Sequence, residues 1–259
     1  MLKTQHLRYF LEIAYNGAKY CGWQKQPDAK TVQQEIEYFL STVLRQDVTT
    51  MGAGRTDTGV HARQMFLHFD VSKSISIPNF LYKANSFLPP DISVLNYYEV
   101  LDDHHARFNA IAREYEYYVS VVKDPFSIDS AYYLKNFPDI NLMNEAASSL
   151  LTYSDFQSFS KVRTEVKTFN CNVTKAEWIL NGNMLIFTIS ADRFLRNMVR
   201  SIVGTLLEVG SGKITIEDFH NIIASKNRSN AGISVPAHGL YLTKVIYPET
   251  VSLQPIKTS

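Results

Sequence analysis

The stretch GAGRTDTGVHA, from Gly52 to Ala62, places a single carboxylate, Asp57, inside a glycine-rich turn two residues after Arg55. Glycines are usually retained where the backbone needs a positive φ or must approach another group closely. A carboxylate held in such a turn could act as a nucleophile, and a nearby guanidinium would favour its ionised form. From composition alone, a hairpin turn with an incidental aspartate remains an equally open interpretation.

The turn matches neither of two nucleotide-binding patterns. Gly54 and Gly59 have the spacing of a phosphate-binding P-loop, but Val60 and His61 follow where that loop requires Lys and Ser or Thr. In the dinucleotide pattern G-x-G-x-x-G, Asp57 stands where the third glycine belongs. The turn therefore does not predict a nucleotide cradle.

The composition is that of a soluble globular protein, with 45% hydrophobic and 20% charged residues. The formal net charge of +1 does not favour a nucleic-acid partner, since such domains often carry a large basic excess. Local clusters can override the sum, or they can be solvated surface charges. The clustered arginines are Arg55, Arg63, Arg107, Arg113, Arg193, Arg196 and Arg200.

The N-terminal sequence lacks the apolar core of a signal peptide, and no apolar run has the length of a membrane span. We therefore expect a cytoplasmic protein with no membrane partner. Cys21 and Cys171 are too few for a disulfide framework or a cysteine-based zinc site. His104 and His105 are adjacent, so on an extended chain they point to opposite faces, and we predict no metal site there.

Periodicity in the first half of the chain predicts the order β-α-β-β-α-β. Leu7, Tyr9, Leu11 and Ile13 alternate along the first strand, and Thr31 with Gln34 form a capping box before a helix. The remaining predicted elements are a short strand near 47–52, a strand carrying Met65, Leu67 and Phe69, a helix from about Pro78, and a strand from Ile92 to Val100.

The second half predicts a similar series of elements. The predicted elements are a strand through Tyr115 and Val121, a helix from Asn141 to Leu151, a hairpin around Asn181-Gly182-Asn183, helices from Phe194 to Val209 and from Thr215 to Ala224, and a strand from Leu240 to Tyr247. The two halves together indicate two split-βαβ units in tandem.

The run GRTDTGVHA closely resembles the active-site signature of the TruA-type tRNA pseudouridine synthases, in which the aspartate is catalytic. Further segments resemble the same family in the same order: YNGAKYCGWQKQ at 15–26, TVQQEIE at 31–37, HARFNAIAREYEY at 105–117, DFQSF at 155–159, FLRNMVRSIVG at 194–204 and AGISVPAHGLYLTKVIYP at 231–248. The resemblance covers nearly the whole chain.

The resemblance implies an α+β enzyme of two tandem split-βαβ (ferredoxin-like) halves, whose sheets join around a central catalytic cleft. We place the halves at residues 1–104, with the Asp57 loop, and 105–259, with the tyrosine and arginine of the pocket. The implied reaction is isomerisation of uridine to pseudouridine in the tRNA anticodon stem-loop. It requires no metal or organic cofactor, and the implied assembly is a homodimer with one tRNA crossing both subunits.

We predict five site residues, three of which stand where the family has site residues. The resemblance implies that Asp57 is the nucleophile and that Arg200 is a basic residue of the active site. Either Arg55 or Arg200 could keep Asp57 ionised, and we favour Arg200 as its ion-pair partner, with Arg55 as a contact to RNA or to the extruded base. Tyr115 stands where the family has its active-site tyrosine, although its position in an alternating strand equally fits a core residue. Leu240 is the expected apolar wall of the pocket, and no metal ligand is expected.

The chain departs from the family's usual pattern at Thr58, at Gln64-Met65 and at Arg196, which puts the choice of target nucleotides in doubt rather than the reaction. One rival interpretation is a catalytically silent RNA-binding protein on the same scaffold, but Asp57, Tyr115 and Arg200 are intact. A glycosidase would need two carboxylates beside one bond, and the motif holds one. His61, directly after the turn, is expected to brace the loop through a hydrogen bond.

Overall fold

The computed structural model describes residues 6–75, 77–162 and 166–256, which form two compact units. The first unit runs from the start of the described chain to Ile111 and takes up the chain again at Leu242. The second unit is Ala112–Tyr241. Each unit combines strands with helices, so the predicted α+β class is confirmed.

In chain order the elements are β1 (Leu7–Tyr15), α1 (Val32–Leu44), β2 (Met51–Gly52), β3 (His61–Val71), α2 (Phe80–Phe87), β4 (Ile92–Val100), β5 (Ala112–Ser120), β6 (Tyr132–Tyr133), α3 (Ile140–Ser149), β7 (Val173–Asn181), β8 (Met184–Ala191), α4 (Met198–Gly210), α5 (Ile216–Ala224) and β9 (Leu240–Ile246). The longest helices, α1 and α4, have 13 residues each. Within the described ranges, none of the helices combines the length and the apolar character that crossing a membrane requires.

The sheet of the first unit has the strand order β4-β1-β3-β9, with β2 also paired to β3. Strand β1 is antiparallel to both β3 and β4, and Phe10 lies opposite His68 on one side and Tyr98 on the other. Strand β1 is found where the sequence predicts it, but its residues 9–13 are all buried, so burial does not alternate along it. Its odd-numbered side chains share the face of Tyr97, which lies opposite Leu11, and helices cover this face. There, the Phe80 ring of α2 contacts both Phe39 of α1 and Tyr97 of β4.

Helix α1 begins where the sequence predicts it. Its N-cap is Thr31, whose side-chain oxygen accepts a hydrogen bond from the Gln34 N–H at 3.4 Å. The capping box predicted for α1 is thus present in its Thr31 half, whereas Thr215 at the start of α5 forms a complete capping box with Asp218. These caps satisfy N–H groups that would otherwise lack partners at the start of each helix.

In the second unit the strand order is β5-β8-β7, with antiparallel neighbours, and β6 lies parallel to β5. The predicted hairpin is confirmed, because Asn181 of β7 pairs with Met184 of β8 across a turn in which Gly182 has φ +59°. Helix α3 is fixed to β7 by Asn144, whose side-chain amide donates to the Trp178 carbonyl and accepts from the Trp178 N–H.

The predicted start of α4 at Phe194 is wrong, because the helix begins four residues later, at Met198. Asn197 adopts a left-handed conformation with φ +67°, which interrupts the helical path. Its side chain donates to the Ser234 hydroxyl at 2.5 Å, so a contact distant in sequence fixes this conformation. Asparagine tolerates left-handed backbone better than most residues.

The compact units differ from the predicted division at residue 104 in two respects: the first unit continues to Ile111, and it includes the C-terminal strand from Leu242. Hydrogen bonds account for both. The Ala106 N–H donates to His68 Nδ1, and the Tyr247 hydroxyl donates to the Ala106 carbonyl. The Ile111 N–H donates to the Ile246 carbonyl, which closes the unit.

The buried His68 predicts a pH dependence of stability. Burial lowers the pKa of its imidazole to about 4; Arg8 and His105 act in the same direction, while Asp70 opposes them. Because the folded-state pKa lies below the ordinary value of about 6.5, the unfolded chain binds more protons between these values. The contribution of His68 is therefore fully present above about pH 6.5 and is lost as the pH falls towards 4.

Urea unfolding of the parent protein and of His68→Asn at pH 7 and pH 5 tests this expectation. The Asn side-chain oxygen can replace Nδ1 as acceptor for the Ala106 N–H, but it does not titrate. We expect the parent to lose more free energy of unfolding than the variant over this interval. Equal losses in the two proteins would contradict the prediction.

Candidate active site

Asp57 lies in a closed turn between β2 and β3. Arg55 is exposed, Thr56 is buried and Asp57 is half-buried. The Val60 N–H donates to the Asp57 carbonyl at 3.1 Å, and Gly59 has φ +79°. Glycine adopts this positive φ without a steric penalty. The turn fixes the backbone position from which the Asp57 side chain extends.

Residues 15–23, here termed the bracing segment, are hydrogen-bonded to this turn. The Trp23 N–H donates to the Thr56 carbonyl at 3.3 Å, and the Tyr15 and Thr56 hydroxyls are hydrogen-bonded at 2.9 Å. The Gly59 N–H donates to the Tyr20 carbonyl at 3.3 Å. Thr56 and Gly59, which lie on either side of Asp57 in the turn, are therefore bonded to a segment more than thirty positions earlier in the chain.

His61 makes the bracing hydrogen bond expected of it. Its side chain is buried, with 1% exposed, and Nδ1 accepts the Gly17 N–H at 3.0 Å. A neutral imidazole that accepts at Nδ1 carries its proton on Nε2. His61 thus joins the start of β3 to the bracing segment.

Two glycines allow the bracing segment to approach the turn. A Cβ atom at Gly17 would lie 1.9 Å from the Val60 carbonyl oxygen, and one at Gly22 would lie 2.3 Å from the Thr56 carbonyl oxygen. Gly22 also has φ +81°. Motif spacing gives the bracing segment no role, although two glycines among aromatic residues are a signal for close backbone contact.

Aromatic side chains anchor the bracing segment to its own unit. The Tyr20 hydroxyl donates to Asp91, and the Lys30 ammonium lies 5.0 Å from the centroid of the Tyr20 ring. Burial raises the pKa of Tyr20 above its ordinary value, and Asp91 adds to that shift, so the phenol stays a neutral donor. The Trp23 indole packs against Gly52, where a Cβ would lie 2.7 Å from it.

Arg55 extends from the same turn as Asp57 into solvent. In the part of the chain that the structure describes, its guanidinium has neither a hydrogen-bond nor an ion-pair partner. Arg8, by contrast, forms a bidentate ion pair with Asp70, with N to O distances of 2.7 Å. The Arg55 guanidinium is therefore accessible from solvent beside Asp57.

Tyr115 lies in β5 of the second unit, opposite Ile189 of β8. Its ring meets Phe194 edge to face, with centroids 5.0 Å apart, and its side chain is half-buried. Tyr117, two residues on and on the same face, is fully buried and donates its hydroxyl to the Pro236 carbonyl at 2.8 Å. Tyr117 is therefore a core residue. Tyr115 lies on the same face of β5, at the point where the side chains become partly exposed.

Arg200 and Leu240 are also in the second unit. Arg200 lies in the first turn of α4, is half-buried, and donates from Nε to the Val235 carbonyl at 2.7 Å. Leu240 opens β9 and is 6% exposed. The structure thus carries Asp57 and Arg55 on one turn of the first unit, and it carries Tyr115, Arg200 and Leu240 in the second unit.

The departures from the family's usual pattern have different surroundings. Gln64 donates from Nε2 to Glu12 Oε1 at 2.7 Å and accepts the Val245 N–H at 3.0 Å, so it joins three strands of its unit. Thr58 and Arg196 are exposed. Gln64 therefore has a structural role, which leaves Thr58 and Arg196 as the changes that face solvent.

The adjacent histidines lie in different surroundings. His105 Nδ1 accepts the N–H groups of Arg107 and Phe108, and His104 Nε2 lies 3.9 Å from Asp103. Among the described residues, no three His, Cys, Asp or Glu side chains are grouped so as to hold a metal ion. His105 thus caps a local turn of the backbone.

Comparison with known proteins identifies relatives over almost the whole chain. The sequence profile of a family described as tRNA pseudouridine synthase matches residues 146–248. A tRNA pseudouridine synthase A of Parabacteroides distasonis is 51% identical over 93% of this chain and 96% of its own length. Proteins of the same name from Bacteroides thetaiotaomicron and Bacillus pumilus are 49% and 40% identical, over 97% and 91% of this chain and 95% and 97% of their own lengths.

Proposed function

The chain belongs to the tRNA pseudouridine synthase A family, and on that basis we propose that Asp57 is the nucleophile of its reaction. The activity is tRNA pseudouridine synthesis, so the enzyme is an isomerase that acts on RNA. The main support for this role of Asp57 is the structure of its turn, in which the bracing segment is hydrogen-bonded to both Thr56 and Gly59. A carboxylate fixed in this way is pre-organised for attack.

The reaction breaks the bond between C1′ of the ribose and N1 of uracil and forms a bond between C1′ and C5. The proton on C5 is lost and N1 gains one, so atoms and charge balance without an oxidant, a reductant or phosphate energy. One carboxylate nucleophile is sufficient for such a sequence, by attack on either the sugar or the base. Our proposal therefore includes no metal and no organic cofactor.

The remaining site residues have roles that follow from their chemistry. The target uridine must leave its stack to react, and a half-buried Tyr115 offers both a ring for stacking and a hydroxyl. Arg200 supplies the cation that would keep Asp57 ionised, and Leu240 supplies an apolar wall. Arg55, exposed beside Asp57, would bind a phosphate or the extruded base.

The finer architecture and the assembly are part of the same proposal. The element order β1-α1-β2-β3-α2-β4 supports a split-βαβ first half, with a second such half in tandem and a catalytic cleft shared by both. We further propose a cytoplasmic homodimer whose targets are uridines of the anticodon stem-loop. Sedimentation of the protein with and without tRNA tests the dimer.

The proposed function is tested by incubating the pure protein with unmodified tRNA transcripts and mapping pseudouridine by position. We expect conversion at anticodon-arm uridines in a reaction that EDTA does not slow. Conversion elsewhere in the tRNA would overturn the proposed target, and absence of conversion would overturn the activity.

The two possible roles of Tyr115 predict different mutant series. Tyr115→Phe keeps the ring, whereas Tyr115→Ala removes the ring and the hydroxyl. If Tyr115 only stacks on the base, Tyr115→Phe should have nearly the parental kcat/KM. Tyr115→Ala should then lose roughly tenfold in kcat/KM, the scale of one base–aromatic stack. If the hydroxyl transfers a proton, Phe should be nearly as inactive as Ala. Full activity of Tyr115→Ala would return the residue to a core role.

Binding of tRNA should depend strongly on salt. Despite a net charge of only +1, phosphate contacts release counterions, so affinity should fall steeply from about 50 to 200 mM salt. Arg55→Gln should lower the slope of log K against log salt by about one. Arg45→Gln, a change of another exposed arginine of the first unit, is the matched control. An unchanged slope in Arg55→Gln would show that Arg55 contacts no phosphate.

A further inference from the structure

Arg228 is a half-buried arginine between α5 and β9 whose contacts, within the described chain, are with neutral oxygen atoms. One terminal nitrogen donates to the Ala231 carbonyl at 3.1 Å, and the other donates to the Ser234 hydroxyl at 2.9 Å. Burial lowers the pKa of the Arg228 guanidinium. Arginine is seldom withdrawn even partly from water without an acidic partner, so the surroundings of Arg228 differ from those of an ordinary surface charge.

The Ser234 hydroxyl receives a second donor, the side-chain amide of Asn197 at 2.5 Å. Asn197 is the left-handed residue directly before α4. A hydroxyl oxygen has two acceptor sites, and Arg228 with Asn197 accounts for both. Arg228 is thereby linked through one oxygen atom to Asn197, the N-cap residue of the helix that carries Arg200.

The chain from Ala231 to Val235 lies against α4 over its first two turns. The Gly232 N–H donates to the Thr205 hydroxyl at 3.0 Å, and the Val235 N–H donates to the Arg200 carbonyl at 3.2 Å. The approach is so close that a Cβ at Gly204 would lie 1.9 Å from the Ile233 carbonyl oxygen.

This segment determines where the Arg200 side chain points. The Val235 carbonyl accepts the Arg200 Nε–H at 2.7 Å, so one donor of the guanidinium is bound to the segment. The guanidinium is planar and its donors have fixed relative directions. Once Nε is bound, the position of the Val235 carbonyl restricts the directions in which the two terminal nitrogens can point.

We propose that Arg228 is a positioning residue for Arg200: it clamps residues 231–235 against the start of α4, and the clamped Val235 carbonyl orients the Arg200 guanidinium for the reaction. This inference rests on the proposed role of Arg200 in pseudouridine formation. The Arg228 guanidinium contributes through the segment that it holds and does not contact the substrate.

The experiment compares Arg228→Met and Arg228→Lys with the parent, as full-length protein. Met keeps most of the side-chain volume and removes both donors, whereas Lys keeps the charge and can restore one hydrogen bond. The Arg200 Nε–H resonance, assigned by its loss in Arg200→Lys, should shift or broaden in Arg228→Met. We expect kcat to fall roughly tenfold, as for a displacement of well under 1 Å, with the Kd for tRNA unchanged and partial recovery in Lys.

Two controls separate positioning from a general effect of charge. Lys226→Met removes one positive charge two residues away, from a surface ion pair with Asp155 at 2.9 Å, and should change neither the resonance nor kcat. In an Arg200→Ala background, Arg228→Met should have little further effect on kcat, because a residue that acts through Arg200 is coupled to it. Ser234→Ala, which removes the shared hydroxyl, provides a second variant should Arg228→Met fail to fold.

Three outcomes would overturn the proposal. One is an unchanged Arg200 resonance and kcat in Arg228→Met. Another is a raised Kd for tRNA with kcat intact, which would make Arg228 a phosphate contact. The third is full additivity with Arg200→Ala. Failure of the proposed function is a different result, since the parent protein would then make no pseudouridine in tRNA while the resonance still reports on the clamp.

Discussion

Replacement of Asp57 by asparagine should abolish turnover, with a loss of at least ~10³-fold, while tRNA binding and the fold survive. Asparagine has nearly the size of aspartate and keeps much of its hydrogen bonding, but it carries no charge and is not a nucleophile. The backbone contacts that hold the turn use the Asp57 carbonyl and the neighbouring Thr56 and Gly59, so the substitution leaves them in place. Binding should tighten slightly, because a carboxylate near phosphates is repulsive.

Three measurements on the same preparation test this expectation: turnover on a tRNA transcript, Kd for tRNA, and the thermal midpoint. Asp47→Asn, which neutralises an exposed aspartate of the same unit, is the matched control and should behave as the parent. An Asp57→Asn protein that binds tRNA, melts near the parent temperature and still forms pseudouridine at a comparable rate would show that Asp57 is only a turn residue.

Local sequence signals predicted the regular elements well. The predictions of strand β1, of the Thr31 cap of α1 and of the hairpin after Asn181 all depend on residues close in sequence, and each element is found where it was expected. Such signals reflect propensity and short-range hydrogen bonds, which the sequence displays directly. The late start of α4 was missed, because the left-handed Asn197 is fixed by Ser234, a residue 37 positions away.

The environment of the candidate site was less accessible to sequence reasoning. Asp57 itself stood out as an acid among glycines, but the bonds that hold its turn come from Tyr15, Tyr20 and Trp23. No sequence motif indicates a role for Arg228, since its partners are a backbone carbonyl and a serine hydroxyl. Long-range contacts of this kind follow from the tertiary structure and have no characteristic spacing along the chain.

The second large effect is expected from Gly22→Ala, far in sequence from the proposed nucleophile. Gly22 has φ +81°, which an L-residue adopts at a cost of about 1–2 kcal/mol. In addition, the new Cβ would lie 2.3 Å from the Thr56 carbonyl oxygen, and overpacking of this kind costs about 1–3 kcal/mol. The free energy of unfolding should therefore fall by about 3 kcal/mol.

Turnover should fall as well, because relief of this contact must displace either the bracing segment or Thr56. Thr56 directly precedes Asp57, and a shift of about 1 Å in a reacting group can lower the rate by about 10²-fold. The reduced rate should persist at temperatures where the variant is fully folded, since the cause is a displaced turn rather than a smaller folded population. Kd for tRNA should change much less than kcat.

Gly212→Ala supplies the comparison that separates backbone strain from the steric contact. Gly212 has φ +70°, similar to Gly22, yet a Cβ there would meet no atom within 4 Å. Gly212→Ala should lower the free energy of unfolding by only the backbone contribution of about 1–2 kcal/mol, and it should leave turnover unchanged. The excess loss in Gly22→Ala then measures the contact with Thr56. If urea unfolding gave the same loss for both variants, and both kept parental turnover, the bracing segment would not be what positions Asp57.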